Sequence, residues 1–160
     1  MRTISGDLID NDYKISMPFR LLISGSSGTG KTTFIEKLLK SDRIDGEFSK
    51  IYYCYPYNLG DPPVDWHQTL SFDVEYLNKL PDLRFFDTVK PNSLLVLDDL
   101  WTETCKNKDL VAAFKVFSRK KKVSIIIVSQ SYFSGGDEGR EIRNNMLVCK
   151  SYHYKTIIHI

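Results

Sequence analysis

The sequence has few cysteines, no long apolar run and no excess of one charge, and each absence excludes a class of protein. No pair among its three cysteines, Cys54, Cys105 and Cys149, has C-x-x-C spacing, so neither a structural zinc site nor a disulfide framework is indicated. No apolar run approaches the roughly 20 residues of a membrane-spanning helix. The stretch from Met1 to Asp12 lacks the apolar core of a signal peptide. We therefore expect a soluble intracellular protein, cellular or viral, with no membrane partner.

The formal net charge is only +2, which neither requires nor excludes nucleic acid, so any basic surface must be local. Apolar residues make up 42% of the 160 residues, enough for one domain with a buried core. We expect a polar lead-in over residues 1–18, ending at Pro18, and one domain over residues 19–160.

Short apolar runs alternate with helical patterns, which is typical of α/β architecture. The predicted strands are Phe19 to Ser24, Ile51 to Tyr55, Ser93 to Leu97, Val123 to Ser129, Met146 to Lys150 and Thr156 to Ile160. The predicted helices are Lys31 to Lys40, a short one carrying Val74, Leu77 and Leu80, and Leu110 to Phe117, with loops over 58–67 and 134–139. Strands that are apolar throughout are buried on both faces, which favours a mainly parallel sheet covered by helices.

A phosphate-binding motif follows the first predicted strand and opens the first predicted helix. Residues 25–32 read Gly-Ser-Ser-Gly-Thr-Gly-Lys-Thr and match G-x-x-x-x-G-K-S/T in full. Glycines let the main chain approach phosphates, the amide groups form an anion nest, and the helix N-terminus adds positive charge. The predicted ATP-binding residues are Gly25, Ser26, Ser27, Gly28, Thr29, Gly30, Lys31, Thr32 and Thr33.

An apolar strand ending in two acids supplies the predicted metal ligand. Asp98 and Asp99 follow Leu94 to Leu97, and hard carboxylate oxygens suit Mg²⁺. We assign the metal to Asp98 together with the hydroxyl of Thr32, and a general base for the attacking water to Asp99. Because Asp is one methylene shorter than the Glu usual at this second position, another residue could position the water instead.

Polar and basic residues after the fourth strand and around it have two interpretations each. Gln130 either senses the γ-phosphate or attacking water, or simply ends a strand. The basic run that includes Lys115 and residues 119–122 either complements a helix dipole or contacts nucleic-acid phosphates. Arg140 and Arg143 follow a glycine-rich stretch and either lie on the surface or stabilise transition-state charge on a neighbouring subunit's nucleotide.

Four segments together resemble the genome-packaging ATPases of large DNA viruses, of the poxvirus and Maverick/Polinton type within the FtsK/HerA P-loop superfamily. They are FRLLISGSSGTGKTTFIEKLL, SKIYYCYP, SLLVLDDLW and VSIIIVSQSYFSGGDEGREIRNN. The resemblance covers residues 19–150 and implies a P-loop three-layer fold. It implies Lys31 and Thr32 on ATP and magnesium, Asp98 on the metal, Gln130 as sensor, and Arg140 or Arg143 acting on the neighbour's nucleotide.

The resemblance further implies a ring of identical subunits that hydrolyses ATP to push double-stranded DNA into a capsid, where portal or vertex proteins would be partners. The chain ends at Ile160, short of typical relatives, which leaves open a C-terminal truncation that would remove the last helix. Two other functions stay open from the residues alone. A nucleoside or nucleotide kinase would use the glycine-rich stretch before Arg140 as a lid, and a nucleotide switch would not hydrolyse ATP.

Overall fold

The structure is a computed structural model that describes residues 3–4, 14–131, 135–152 and 155–159. Over residues 3–4, 147–152 and 155–159 the structure describes the course of the backbone. Most of the predicted lead-in over residues 1–18 lies outside the described residues, so the domain boundary at Pro18 stays a prediction. No helix in the described part of the chain is long and apolar enough to cross a membrane.

Strands and helices alternate along the described chain. The strands are β1 Thr3–Ile4, β2 Ile15–Ser16, β3 Arg20–Ser24, β4 Ile44–Asp45, β5 Ile51–Cys54, β6 Val74–Leu77, β7 Leu94–Asp98, β8 Ser124–Ser129, β9 Leu147–Tyr152 and β10 Lys155–His159. The helices are α1 Lys31–Lys40, α2 Trp66–Thr69, α3 Leu83–Thr88, α4 Trp101–Lys106, α5 Lys108–Lys120 and α6 Gly136–Asn144, with a 3₁₀ turn over Tyr57–Leu59.

Eight strands form one sheet in the order β1-β10-β9-β3-β8-β7-β5-β6, and the six from β9 to β6 are parallel. Strand β10 runs antiparallel to β9, and β1 antiparallel to β10. In register, Arg20 of β3 lies opposite Ile125 of β8, and Asp98 of β7 lies opposite Val128. The carboxyl ends of the parallel strands therefore meet at one edge of the sheet, which is where ligands of such sheets bind.

Helices cover both faces of this sheet, because its central strands are apolar on both sides. One core cluster joins α1 to the face that carries Leu21, Ile23 and Val96. The other joins α3, α4, α5 and α6 to the face that carries Leu22 and Leu97. All residues of β5 and β8 are buried, and every residue of β3 except the first, as expected for a parallel sheet between two helical layers.

The predicted strands and the predicted helix Lys31 to Lys40 are confirmed, with ends that shift by one or two residues. The last residue of the predicted sixth strand, Ile160, lies outside the described residues. The helix predicted over Leu110 to Phe117 extends to Lys108 and Lys120, because the side chain of Asn107 caps its N-terminus through the amide of Leu110 at 3.0 Å.

The helix predicted from the spacing of Val74, Leu77 and Leu80 is wrong. Val74–Leu77 is the edge strand β6, paired in parallel with β5 through Ile51 and Val74. Val74 is buried and Tyr76 is partly buried, while Glu75 between them is exposed, so a two-residue period fits the segment better than a helical one. Pairing with a distant strand decided the conformation here.

The loops predicted over 58–67 and 134–139 are wrong in part, since helices begin inside both. Helix α2 begins at Trp66, and α6 begins at Gly136, directly after Gly135. Gly135 has φ +100°, and a β-carbon there would lie 2.6 Å from Sγ of Cys105 and 3.2 Å from Nε1 of Trp101. The glycine therefore allows α6 to approach α4 closely, rather than marking a free loop.

Helices α3 and α4 have no counterpart among the predicted elements. Helix α3 is short, and its N-terminal signal is the Asp82 side chain, which accepts a hydrogen bond from the amide of Phe85 at 3.1 Å. Its residue Phe86 is fully buried and stacks on Phe117 with ring centroids 5.0 Å apart. Burial of this one ring therefore fixes α3 against α5.

We expect Phe86→Ala to lower the free energy of unfolding by about 3–5 kcal/mol, because it removes a fully buried ring and leaves a cavity. Leu83→Ala on the same helix is the matched control, since Leu83 is 48% exposed; its cost should stay below about 0.5 kcal/mol. Urea unfolding followed by circular dichroism measures both. Equal losses in the two variants would show that α3 does not pack as described.

Candidate nucleotide site

Residues 25–32 form an open concave turn between β3 and α1. Gly28 and Gly30 have φ values of +75° and +82°, a left-handed conformation that side chains rarely adopt, and a β-carbon at either position would meet nothing within 4 Å. Ser26 and Ser27 are exposed, and Thr29 closes the turn by donating its hydroxyl to the carbonyl of Ser26 at 2.8 Å. The backbone therefore borders free space that a phosphate chain can enter.

The N-terminus of α1 has the features of an anion-binding site. Its N-cap, Gly30, offers no side-chain hydrogen bond, and no acidic residue lies in the first turn. The first amide groups of a helix carry partial positive charge, and side chains or ligands must satisfy them. Lys31 and Thr32 in this turn are partly buried, whereas Thr33 is exposed. A phosphate group fits this helix end by charge and by hydrogen bonding.

Lys31 folds back over the turn. Its Nζ donates to the carbonyl oxygens of Gly25 and Ser26, each at 2.8 Å. Partial burial lowers the pKa of Lys31, and the charges of Asp98 and Asp99 act in the opposite direction. Both acids therefore lie within electrostatic reach of the Lys31 ammonium.

Asp98 ends β7 on the sheet face that α1 covers, because side chains alternate along a strand and Val96 faces α1. One of its carboxylate oxygens, Oδ2, accepts a hydrogen bond from the hydroxyl of Tyr53. Burial raises the pKa of Asp98 above its usual value and the nearby Asp99 adds to this, while Tyr53 and Lys31 lower it. A partly desolvated carboxylate facing a lysine and a phosphate cradle is a suitable ligand for a hard cation.

Tyr53 is a site residue that the sequence placed only within the predicted strand Ile51 to Tyr55. The residue is fully buried in β5, and its ring meets Trp66 edge-on at 4.8 Å and Tyr76 at 5.9 Å. Because Trp66 and Tyr76 hold the ring in place, its hydroxyl is positioned to donate to Asp98. Two facts could have indicated this: β5 neighbours β7, and residues 53 and 98 lie on the same sheet face.

Asp99 and Gln130 are brought together at the ends of β7 and β8. The side-chain amide of Gln130 donates to Oδ1 of Asp99 at 3.1 Å, and both residues are exposed. Asp99 has φ +55°, so the backbone turns sharply after Asp98 and the two acidic side chains point in different directions. A carboxylate and an amide held together beside the cradle can position a water molecule.

Arg140 and Arg143 lie on α6, which packs on the other face of the sheet from α1. Arg140 is exposed, and its only ion pair among the described residues is a 3.7 Å contact with Asp137 of the same helix. Arg143 is partly buried and lies near Cys105, whose pKa burial raises to about 11 while Arg143 acts to lower it. Neither arginine contacts the cradle of its own chain through a described ion pair or hydrogen bond.

The residues present fit a magnesium ion bound together with a nucleotide. No group of three or more His, Cys, Asp or Glu side chains that could hold a metal alone occurs within the described ranges. Thr32 and Asp98 instead provide a hydroxyl and a carboxylate beside the open cradle, a small set of oxygens of the kind that holds Mg²⁺ with phosphates and water.

Comparisons with known proteins find relatives that match part of the chain. No family model matches the chain. A DNA packaging protein of Variola virus is 27% identical over 132 residues, which cover 74% of this chain and 48% of that protein. A probable disease resistance protein of Arabidopsis thaliana is 33% identical over 91 residues, 51% of this chain and 11% of that protein. The chain thus spans about half the length of the first relative and about a tenth of the second.

Two solved structures share the fold. The N-terminal domain of zonular occludens toxin from Neisseria meningitidis superposes with a TM-score of 0.53 at 16% identity, covering 84% of this chain and 76% of that one. The genome packaging NTPase of Sulfolobus turreted icosahedral virus 2, solved with ATP-gammaS, gives 0.52 at 13% identity, with 83% and 74% covered. The predicted α/β P-loop NTPase fold is confirmed, as is the resemblance to viral packaging ATPases.

We expect Asp98→Asn to raise the thermal stability of the nucleotide-free protein at pH 7. Burial raises the pKa of Asp98, so this group opposes folding increasingly as pH rises from its unfolded pKa through its folded one. The amide keeps an acceptor for Tyr53 but has no charge to desolvate, so the gain should shrink as pH falls toward 4.

Asp99→Asn serves as the control because Asp99 is exposed, and it should change the melting temperature little. Scanning calorimetry between pH 4 and 8 measures both variants. A lower melting temperature for Asp98→Asn at pH 7 would contradict the assigned environment of Asp98.

Proposed function

We propose that this protein hydrolyses ATP within a ring of identical subunits and uses the reaction to move double-stranded DNA into a viral capsid. The observation that supports this best is the meeting of three elements at one sheet edge. They are the open cradle over 25–32, the half-buried Asp98 held by Tyr53, and the Asp99–Gln130 pair. The resemblance to viral DNA packaging proteins favours the motor among the activities that such a site could perform.

Backbone amides of the cradle and the N-terminus of α1 would bind the phosphates of ATP. The ammonium of Lys31, now bonded to two neutral carbonyls, would exchange them for charged phosphate oxygens, which bind it more strongly. Thr32 and Asp98 would hold magnesium, which neutralises charge on the phosphates when bound. Tyr53 keeps one Asp98 oxygen engaged and so limits rotation of the carboxylate.

Asp99 and Gln130 would position the attacking water. Gln130 occupies one carboxylate oxygen of Asp99, and the other has no hydrogen-bond partner in the described part of the chain. That second oxygen can accept a hydrogen bond from water, which orients a lone pair of the water toward the γ-phosphate. Positioning and electrostatic stabilisation then account for most of the catalysis, as in other phosphoryl transfers.

The arginine that acts on a neighbouring subunit would be Arg140 rather than Arg143. Arg140 is exposed, and within the described ranges its one ion pair is the long contact to Asp137, so its guanidinium can leave the helix surface toward another chain. Arg143 is partly buried, and its charge acts on Cys105 of α4 in its own chain. A kinase lid is not supported, because the stretch before Arg140 is helical from Gly136 and packs on α4 and α5.

The proposal is tested by the rate of phosphate release from ATP, measured with and without double-stranded DNA over a range of protein concentrations. A ring motor should hydrolyse ATP faster when DNA is present. Its rate of phosphate release should also rise more steeply than the protein concentration, because subunits assemble into the active ring. A rate that changes with neither variable would argue against the motor. Transfer of phosphate to an added nucleoside or nucleotide would support a kinase, and full function without turnover in Asp99→Ala would support a switch.

We expect Lys31→Ala to reduce ATP hydrolysis by at least about 100-fold, because it removes a charge that stabilises the transferring phosphoryl group. Lys37→Ala is the matched control, since Lys37 is exposed on the same helix, α1. Steady-state phosphate release measures both variants, with circular dichroism to show that each is folded. Turnover of Lys31→Ala close to that of the control would show that the cradle is not the site of hydrolysis.

We expect Arg140→Ala subunits and Asp98→Ala subunits, each inactive alone, to recover part of the hydrolysis when mixed. A mixed ring contains interfaces at which an intact cradle faces an intact Arg140. Phosphate release at a fixed total concentration, followed against the mixing ratio, should pass through a maximum. An Arg140→Ala protein that keeps full activity alone would exclude this residue, and mixtures with Arg143→Ala then test the alternative.

A further inference from the structure

We propose that the amino edge of the sheet, opposite the nucleotide site, binds the phosphate backbone of double-stranded DNA. The contact would be made by a basic surface that comprises Lys14, Arg20, Arg119, Lys120 and Lys122. This inference rests on the proposed function, and it assigns the DNA contact to residues that the nucleotide chemistry does not use.

Arg20 is the first reason for the assignment. It begins β3, is partly buried, and makes no ion pair with any carboxylate of the described residues. Burial and the neighbouring charge of Arg119 both lower its pKa, and no carboxylate acts against them. Two guanidinium groups that repel each other and form no ion pair with a described carboxylate raise the free energy of the unliganded protein, and a bound anion would relieve this.

The run from Arg119 to Lys122 is the second reason. Lys121 has a structural role, because its Nζ donates to the carbonyl of Asp87 at 2.6 Å. Arg119, Lys120 and Lys122 are exposed and have no ion pair among the described side chains. The dipole of α5 explains cations in its last turn, where Arg119 and Lys120 lie. It does not explain Lys122 beyond the helix or Arg20 on a strand.

Space for a ligand is the third reason. An open concavity of about 660 Å³ lies beside β3 at this edge, and Lys14, Arg20, Asn144 and Asn145 are among the residues that line it. Lys14 and Asn144 are exposed, so both can reach a ligand. The hollow is lined on its other parts by Ser16 and by the apolar residues Ile15, Pro18, Phe19 and Met146. Its two cations and two side-chain amides are groups that bind phosphate oxygens.

Two central strands connect this surface to the nucleotide site. Strand β3 runs from Arg20 into the phosphate cradle, and β8 runs from just after Lys122 to Gln130. The two strands are paired throughout, and five or six residues of extended chain span roughly 17–20 Å. DNA on one edge and ATP on the other would therefore act on the same two strands.

The test compares two variants with the same change in charge. The first combines Arg119→Gln, Lys120→Gln and Lys122→Asn, where Asn suits the left-handed φ of +53° at position 122. The control combines Lys37→Gln, Lys40→Gln and Lys79→Gln at exposed positions elsewhere. Fluorescence anisotropy with a labelled 30-base-pair duplex, in the presence of a nonhydrolysable ATP analogue, gives the Kd over 50–200 mM salt.

We expect the first variant to bind the duplex at least tenfold more weakly than the parent and to show a smaller slope of log Kd against log salt. The slope falls because each phosphate contact contributes about 0.9 to it. The control should match the parent in both quantities.

Both variants should keep the parent's rate of ATP hydrolysis without DNA, since neither changes the nucleotide site, and a lost basal rate would identify misfolding. If the triple variant is misfolded, Arg20→Gln is tested in its place, and we expect the same loss of DNA binding.

The outcomes separate this inference from the proposed function. Unchanged DNA binding in the first variant overturns the surface and leaves the motor intact. A parent that hydrolyses ATP but binds no duplex overturns both. A parent that binds poly-glutamate as tightly as the duplex, with the same loss in the first variant, would show a general polyanion surface and overturn the assignment to DNA.

Discussion

The parallel register of β3, β8, β7 and β5 is the constraint on which the site depends. Because all four strands end at the same edge, the cradle, Gln130 and the acid pair meet there although up to about a hundred residues separate them along the chain. The same register aligns Tyr53 with β7, so that a core residue reaches Asp98. Packing of two helical layers on a sheet whose central strands are largely apolar is therefore what holds the polar groups in position.

The elements that carry the chemistry could be predicted from sequence because their signals are local. Strands β3, β7 and β8 are apolar runs, and residues 25–32 form a motif whose turn, glycines and helix start are all contiguous. The nucleotide cradle and the order of strand and helix around it follow from these signals alone. The roles of the cradle residues, Asp98, Asp99, Gln130 and the arginines stay predictions, although the structure places the side chain of Gln130 on Asp99.

What could not be predicted depends on contacts between distant residues. Val74–Leu77 has helical spacing but is a strand because β5 lies beside it, and the short helix α3 is fixed by burial of Phe86 against α5. The hydroxyl of Tyr53 and the carboxylate of Asp98 are neighbours only once β5 is known to lie next to β7. Likewise, the charge of Arg119 near the end of α5 acts on Arg20 at the start of β3 only because the fold brings both to the amino edge of the sheet.

The close approach at Gly135 couples the positions of helices α4 and α6. A β-carbon there would lie 2.6 Å from Sγ of Cys105, so α6 packs tightly on α4. Helix α4 begins at Trp101, two residues after Asp99. A shift of Asp99 that displaced α4 would also displace the helix that carries Arg140. Under the proposed function, a change at the acids of one chain would therefore move the surface that carries Arg140, through the packing of α6 on α4 at Gly135.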